Sequence, residues 1–233
     1  MAMIDDLMAL TARVVRENQD RIDAAAEAIT RSGREGALLY AAGAGHSLAA
    51  VMETFFRAGG LAFVRPLWDE SILPLAGARR STAAERETGL GADVVERAGV
   101  TEGDTVVIFS NSGVNPYPVE VAEAARAVGA TVIAMTSFEV SSTAPQRAGH
   151  RLYEVADIVL DTQVPTGDVT WPPQQPVTAP ASTIITASLW AAILRRIDDI
   201  APDVPRWKSA NVEGNDEVNA ALVERFAPRI PEL

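Results

Sequence analysis

The sequence predicts an α/β fold, namely a three-layer αβα sandwich with a mainly parallel sheet and a long N-terminal helix. Two observations support this prediction. Short apolar runs rich in β-branched residues, such as Thr105 to Phe109, alternate with stretches of helical periodicity, and this alternation is typical of βαβ units in a parallel sheet. The 233-residue chain is also 48% hydrophobic and 22% charged, which suits a single packed core.

The first element is a helix over residues 1–30. Apolar residues recur there at every seventh position, which gives one side of the helix a continuous stripe: Met8, Val15, Ile22 and Ile29. Gly33 and Gly36 mark its end, because glycine suits a helix C-terminus. The same spacing lets two helices pack along a seam, so we expect this helix to contact a second chain; packing on its own domain is the alternative.

The remaining elements are predicted in order along the chain. The strands are residues 37–42, 61–67, 105–109, 131–135 and 155–160. The helices are residues 48–57, 83–98, 119–128, 181–200 and 213–226. Residues 161–181 contain five prolines and are predicted to lack regular structure. We expect one domain over residues 1–233, with a helical extension at 1–34, a core at 35–200 and a helical tail at 201–233.

The composition excludes several kinds of site and partner. The absence of cysteine excludes disulfides and thiolate sites, and two histidines, His46 and His150, are too few for a histidine-rich metal site. The net charge of −11 argues against a nucleic acid partner. No apolar run reaches the roughly 18 residues of a membrane helix, and the N-terminus lacks the pattern of a signal peptide. We therefore expect a cytoplasmic protein with no membrane partner.

Two polar loops follow strands of the predicted sheet. Gly43-Ala-Gly-His-Ser47 comes after the first strand, and Ser110-Asn-Ser-Gly-Val-Asn115 comes after the third. Ligands of open parallel sheets bind beyond the carboxyl ends of the strands, and each loop leads into a helix whose first N–H groups lack internal partners. Such N–H groups and nearby hydroxyls suit a phosphate. A plain strand–helix turn is the alternative for the first loop.

Neither loop fits a nucleotide-binding motif. The first begins like a dinucleotide fingerprint, but Leu48 stands where the last glycine belongs, and the acidic residue expected about twenty positions later is missing. The chain also lacks the Gly-Lys pair of a nucleotide P-loop. We therefore expect neither a cofactor nor a metal.

The loops and their surroundings resemble a known family. Val106-Val-Ile-Phe-Ser-Asn-Ser-Gly113, the first loop and Pro180-Ala-Ser-Thr183 are similar to segments of the sugar isomerase (SIS) domain, over roughly residues 35–200. The N-terminal helix and residues 209–216 resemble a bacterial subgroup labelled phosphoheptose isomerases. The resemblance implies flavodoxin-like winding, a sugar phosphate as ligand, and a homodimer or homotetramer with sites near subunit boundaries.

The resemblance also implies which residues hold the ligand. Ser110, Ser112 and the 113–115 turn match the phosphate-binding loop, although Asn115 stands where Thr or Ser is common. The helix start at Ser182 and Thr183 is a further candidate. The full set of expected phosphate and sugar contacts is Gly45, Ser47, Ser110, Asn111, Ser112, Gly113, Asn115, Thr136, Ser137, Ser182 and Thr183.

Glu85, His46 and Glu53 are the candidate catalytic residues. Aldose–ketose isomerisation needs a base that moves a proton between adjacent carbons, and a glutamate in a half-dry pocket has its pKa raised toward the working pH. We expect Glu85 to open the helix over 83–98 and Glu53 to lie in the helix after the first loop. A solvated helix face is the alternative for each. His46, inside the first loop, suits ring opening or a substrate hydroxyl.

Three function classes remain. The favoured one is a phosphosugar isomerase that acts through a carboxylate base and an enediol-type intermediate. The alternatives are a non-catalytic phosphosugar sensor and a phosphosugar etherase or lyase, which two glutamates would also serve. Sensors of this family usually carry a helix-turn-helix before the SIS domain, whereas residues 1–35 are predicted as one helix, which disfavours a transcription regulator.

Overall fold

Five parallel strands form the central sheet of the computed structural model, which describes residues 2–233. The strands are β1 (Leu39–Gly43), β2 (Val64–Leu67), β3 (Thr105–Phe109), β4 (Thr131–Thr136) and β5 (Ile158–Asp161). Their spatial order is β2-β1-β3-β4-β5, and every neighbouring pair is parallel. This order is that of flavodoxin-like winding, so the α/β fold with a mainly parallel sheet is confirmed.

Helices cover both faces of the sheet. They are α1 (Ala2–Glu17), α2 (Gln19–Arg34), α3 (Leu48–Thr54), α4 (Ala78–Ala84), α5 (Leu90–Ala98), α6 (Pro116–Ala127), α7 (Phe138–Thr143), α8 (Leu152–Val155), α9 (Ser182–Ile200) and α10 (Asn215–Phe226). Helices α2, α3 and α9 pack together against the sheet, and α5, α6 and α8 form a second group. Every residue of β1 and β3 is buried, as expected for strands covered on both sides.

The N-terminal helix is broken at Asn18, so the prediction of one continuous helix is wrong. The Asn18 side chain is buried. Its Nδ2 donates to Val14 O (2.8 Å) and Asp161 O (2.9 Å), and its Oδ1 accepts from Asp161 N (2.9 Å). The break occurs where this side chain ties the helix to the last residue of β5, an edge strand of the sheet.

The break also changes which part of the apolar stripe is buried. In α2, Ile22 and Ile29 are buried as predicted, but in α1 Met8 is 66% exposed. Leu7 and Val14, one position earlier, are the buried residues of α1. The helix restarts after Asn18, and the seven-residue pattern therefore does not continue through the two helices on one face.

Glycine marks the end of α2 at one of the two predicted positions. Gly36 has φ +76° directly after the helix, a conformation that glycine adopts without strain. Gly33 lies inside the helix instead, and a Cβ there would stand 2.6 Å from Phe63 Cζ. Its role is to let the Phe63 ring approach the helix.

Two other predicted elements differ from the structure. The helix predicted at 83–98 is two helices, α4 and α5, separated by residues 85–89. The proline-rich segment contains a small antiparallel hairpin of β6 (Val169–Trp171) and β7 (Thr178–Pro180). Both strands of such a ribbon are edge strands, and proline is tolerated in an edge strand because one side of the strand has no hydrogen-bonded neighbour.

The C-terminal tail packs beside the residues that lead into β2. Leu61 forms an antiparallel bridge with Arg206, Ala62 N donates to Pro205 O, and Trp207 N donates to Gly60 O (both 2.9 Å). Both edges of the sheet thus have other parts of the chain nearby. Among the helices of residues 2–233, none is long and apolar enough to cross a membrane.

Candidate functional site

A cavity of about 470 Å³ lies at the carboxyl ends of β1 and β3. Both polar loops open into it, together with residues of α4, the start of the hairpin and the first turn of α9. This is the side of a parallel sheet at which ligands bind. The fold therefore brings together five segments that are far apart in the sequence.

Most of the predicted site residues line this cavity. They are Gly45, His46, Ser47, Glu85, Ser110, Asn111, Ser112, Asn115, Ser182 and Thr183. Glu53, Gly113, Thr136 and Ser137 do not line it. Residues that the sequence argument missed are Ser81, Thr82, Asp168 and Thr186; they come from segments without a recognisable motif.

Glu53 lies outside the cavity, contrary to its role as a candidate base. It forms an ion pair with Arg57, one turn further along the chain, at the surface of the molecule. Its half-buried side chain is therefore paired with a cation and does not line the cavity with the other candidate residues.

Thr136 and Ser137 support the loop after β3 from behind, and Ser137 N donates to Asn111 O (3.0 Å). Both side chains are fully buried. Thr136 Oγ1 donates to Asn111 O (3.2 Å), and Ser137 Oγ donates to Val164 O (2.9 Å). Their hydroxyls donate to main-chain oxygens and neither residue lines the cavity, so the structure does not place them among the lining residues as predicted.

Gly113 shapes the turn of the loop after β3 without lining the cavity. Its φ is +58°, its N–H donates to Ser110 Oγ (3.2 Å), and a Cβ would lie 2.8 Å from Thr136 Oγ1. Both the backbone conformation and the close approach require glycine. Since Ser110 Oγ accepts this bond, its O–H remains available to donate to a ligand.

The first turn of α6 offers few donors to an anion, which corrects the expectation for this helix end. Pro116 and Pro118 have no N–H, and Tyr117 N donates to Glu85 O (3.2 Å). Main-chain donors for an anion are therefore to be sought in the loop, where the Gly113 N–H is already used by Ser110 Oγ, and not in the first turn of the helix.

Glu85 is the carboxylate at the centre of the site. It is the C-terminal cap of α4, whereas the prediction was that it begins a helix. Its Oε1 accepts from Asn115 Nδ2 (2.8 Å), and its Oε2 is 3.9 Å from where a Cβ on Gly45 would stand. Burial raises the pKa of Glu85, and the positive charges of Arg86 and Arg147 oppose that rise only in part.

Asn115 contacts Glu85 rather than standing free for a phosphate. Besides donating to Glu85, this buried side chain accepts a hydrogen bond from Arg147 Nη1 (3.0 Å) at Oδ1. Asn115 lines the cavity, but both ends of its amide are already engaged.

His46 stands at the exposed rim of the cavity. It lies in a short 3-10 turn, Gly45–Ser47, between β1 and α3. The adjoining Ser47 is half-buried. The imidazole is therefore exposed and lines the cavity.

Asp168 caps the helix end at which Ser182 and Thr183 were expected to bind the ligand. Its Oδ1 accepts from Ala181 N (3.0 Å) and Ser182 N (2.7 Å), and its Oδ2 accepts from Ser182 Oγ (2.6 Å). The negative carboxylate satisfies the positive end of α9. The Ser182 side chain is therefore part of this cap, whereas the Thr183 side chain is exposed and takes no part in it.

The cavity is lined without positive side chains of lysine or arginine in the part of the chain that the structure describes. Its ionisable lining residues are Glu85, Asp168 and His46. An anion bound there is held by hydroxyls and main-chain N–H groups, which suit a phosphate oxygen as hydrogen-bond donors.

Comparison with known proteins identifies the family. The SIS domain matches residues 3–137. A UPF0309 protein of Geobacillus thermodenitrificans is 35% identical over 228 residues, which cover 94% of this chain and 92% of the relative. A UPF0309 protein of Brucella anthropi is 36% identical in an alignment 237 residues long, and the alignment covers 98% of this chain and 96% of the relative. The chain belongs to the SIS domain family and to the UPF0309 family.

Solved structures share the fold of this SIS domain protein. Phosphoheptose isomerase GmhA from Neisseria gonorrhoeae has a TM-score of 0.58 at 20% identity, covering 85% of this chain and 96% of its own. The Vibrio vulnificus NanR protein, solved in complex with ManNAc-6P, has a TM-score of 0.51 at 13% identity, covering 100% of this chain and 71% of its own. The SIS resemblance predicted from the two loops is confirmed.

Proposed function

We propose that this SIS domain protein binds a sugar phosphate and interconverts its aldose and ketose forms, with Glu85 as the base. The observation that supports this most is that Glu85 lines the same cavity as Ser110, Asn111 and Ser112. Burial raises the pKa of the Glu85 carboxyl group. A base with a raised pKa suits proton transfer near neutral pH. A protein with a similar fold is named as a phosphoheptose isomerase.

The phosphate group binds to the loop after β3. Donors there are the hydroxyls of Ser110 and Ser112 and the main-chain N–H groups of the loop other than that of Gly113, which donates to Ser110 Oγ. Gly113, at φ +58°, gives the loop the tight turn that aims such N–H groups at one point. The volume of about 470 Å³ lies within the range of roughly 300–1,000 Å³ for small-molecule sites.

The proton transfer assigned to Glu85 uses its free oxygen. Glu85 takes the proton from the carbon next to the carbonyl carbon, the electrons of that bond form a C=C bond, and the carbonyl oxygen gains a proton, which gives an enediol. Glu85 then returns its proton to the former carbonyl carbon, while the neighbouring hydroxyl loses one as the new carbonyl forms. We assign the oxygen protons and ring opening to His46, which lies in the loop that Oε2 faces.

The etherase or lyase alternative loses its main support. It depended on two glutamates, whereas Glu53 is paired with Arg57 at the surface and Glu85 is the glutamate that lines the cavity. The sensor alternative remains open to the same experiment as the isomerase, since a sensor binds the sugar phosphate without converting it.

The test is turnover and binding of candidate sugar phosphates by Glu85→Gln, with Glu87→Gln as the matched control. Glu87 is exposed two residues away and outside the cavity. We expect Glu85→Gln to keep ligand affinity, measured by calorimetry, and to lose isomerisation, measured by proton NMR, by about a hundredfold or more. Full activity in Glu85→Gln contradicts the proposal, and tight binding with no turnover by the unaltered protein supports the sensor.

We further propose that the protein is a homodimer or homotetramer in which α1 contacts a second copy. Ile4 and Met8 on α1 are 51% and 66% exposed, and Ile184 on α9 is 45% exposed. These side chains line one apolar groove. Contiguous exposed apolar residues of this kind mark interaction surfaces, and the SIS resemblance implies oligomers.

A further inference from the structure

Arg147 lies outside the cavity but is bonded to Asn115, which lines it, and to the neighbouring Val114. Its guanidinium donates to Asn115 Oδ1 (3.0 Å), and its main-chain N–H donates to Val114 O (3.2 Å). Five residues later, Leu152 N donates to Gly113 O (2.8 Å). The segment that carries Arg147 therefore runs along the 113–115 turn and is fixed to it.

The guanidinium sets the orientation of the Asn115 amide. A guanidinium can only donate hydrogen bonds, so the atom that faces Arg147 must be the amide oxygen. The NH2 group of Asn115 then faces Glu85 and donates to its Oε1 (2.8 Å). The reversed amide would set NH2 against the guanidinium and an oxygen against the carboxylate, and both contacts would be repulsive.

The two oxygens of Glu85 thereby differ. Oε1 is held by Asn115, whereas Oε2 faces the first loop, 3.9 Å from the Cβ position of Gly45. A carboxylate held at one oxygen rotates less, and a base held in its reactive orientation gains rate through the geometry of approach.

We infer that Arg147 is a positioning residue for Glu85 and acts through the side chain of Asn115. This inference rests on the proposed function, because it assigns the reacting oxygen of the same base. Arg147 is exposed, so replacing it leaves the packed core unchanged.

The neighbouring charges allow positioning to be separated from electrostatics. Burial raises the pKa of Glu85, and Arg86 and then Arg147 lower it. The other ionisable residues that line the cavity are His46 and Asp168. Arg86→Gln and Arg147→Gln each remove one positive charge and raise the pKa of Glu85 further, but only Arg147→Gln also removes the hydrogen bond to Asn115.

The experiment compares Arg147→Gln, Arg147→Lys and Arg86→Gln in the full chain. We expect the acid limb of the kcat–pH profile to move to higher pH in both glutamine variants. Only in Arg147→Gln do we also expect the plateau of kcat to fall, by about 10- to 100-fold, with KM unchanged. Arg147→Lys keeps the charge and one donor, so it should recover part of the lost kcat without the pH shift. Equal plateaus in the two glutamine variants would overturn the inference.

A second measurement does not depend on turnover. The side-chain NH2 resonances of Asn115 and the carboxyl carbon of Glu85 are followed by NMR in the unaltered protein and the variants. We expect Arg147→Gln to shift the Asn115 NH2 resonances and Arg86→Gln to leave them in place. Unshifted resonances in Arg147→Gln overturn the positioning role, whereas shifted resonances in a protein without isomerase activity support it and contradict only the proposed function.

Discussion

Burial and the neighbouring positive charges shift the pKa of Glu85 in opposite directions. Desolvation outweighs the attraction of Arg86 and Arg147, so its pKa in the folded protein is above that of the unfolded chain. The folded state therefore prefers the neutral carboxyl. Stability from this preference is fully present below the unfolded pKa and is lost as the pH rises through the folded pKa.

We therefore predict that Glu85→Gln stabilises the protein at pH 8, because it removes a half-buried negative charge. The gain should shrink as the pH falls and should disappear below the unfolded pKa of about 4.3, where the carboxyl group is neutral in both states. Melting temperatures of the two proteins between pH 4 and pH 8 measure this. A difference that grows toward low pH would contradict the stated direction of the pKa.

At the same scale, the sequence identified Glu85 and the cavity serines but not their contacts. Glu85 was found as a helix start, and it is instead a helix end. Asn115 was assigned to the phosphate, because its partners Glu85 and Arg147 are 30 and 32 residues away in the chain. Polar contacts over such separations leave no periodic signal, whereas a loop that follows a buried strand does.

At the scale of elements, the first three residues of α6, Pro-Tyr-Pro, limit the main-chain donors beside the loop after β3. Pro116 and Pro118 have no N–H, and the N–H of Tyr117 donates to Glu85 O. In the proposed binding mode, the hydroxyls of Ser110 and Ser112 therefore carry a larger part of the binding than in a loop backed by a free helix end.

We predict that Ser110→Ala with Ser112→Ala weakens binding of a sugar phosphate by about a hundredfold or more, since two hydrogen bonds to a charged group are lost and each contributes about 1.5–3 kcal/mol. The affinity for the corresponding unphosphorylated sugar should stay the same. Calorimetric titration of both ligands measures the difference. Equal losses for the two ligands would mean that the serines contact the sugar and not the phosphate.

The hairpin of β6 and β7 is anchored by one carboxylate, Asp168. Nothing in the sequence indicated this, since Asp168 stands 13 and 14 residues before the N–H groups that it accepts from. The helix at 181–200 was predictable from its apolar period, but its cap comes from the loop on the far side of the hairpin.

We predict that Asp168→Ala destabilises the protein by about 1 kcal/mol, the usual effect of losing a helix N-cap. It should also speed hydrogen exchange at the amides of Ala181 and Ser182. Asp168→Asn is the matched variant, because asparagine also caps helices, and it should lose less. Unchanged exchange at both amides in Asp168→Ala would show that the cap does not hold the helix start.

At the scale of the whole molecule, the strands were the most predictable part. β3 begins and ends at the predicted residues because its side chains are buried on both faces, so its apolar run is unbroken. The fifth strand was placed too early, since Val155 belongs to α8. The prediction of one N-terminal helix failed because its apolar periodicity gives no sign of the break at Asn18, a buried side chain that bonds to β5.

The exposed apolar side chains of α1 and α9 lead to a prediction about assembly. We expect the protein to sediment as at least a dimer at micromolar concentration, and Met8→Asp with Ile184→Asp to yield a monomer, because two charges would enter the contact. Ile22 is unsuitable for this test, since it is buried in its own chain. Leu75→Asp, at a side chain that is 94% exposed elsewhere, serves as the control. A dimer that survives the double substitution places the contact on another surface.

The side-chain amide of Asn18 forms hydrogen bonds to the edge of β5 of the kind that a neighbouring strand would form. It bonds both the N–H and the C=O of Asp161, in the manner of a peptide group in a neighbouring strand, while residues 205–207 stand beside the chain entering β2. Unpaired strand edges are templates on which other chains add strands and aggregate. The same side chain that breaks the N-terminal helix therefore also occupies, at Asp161, edge groups of β5 that would otherwise be open to another strand.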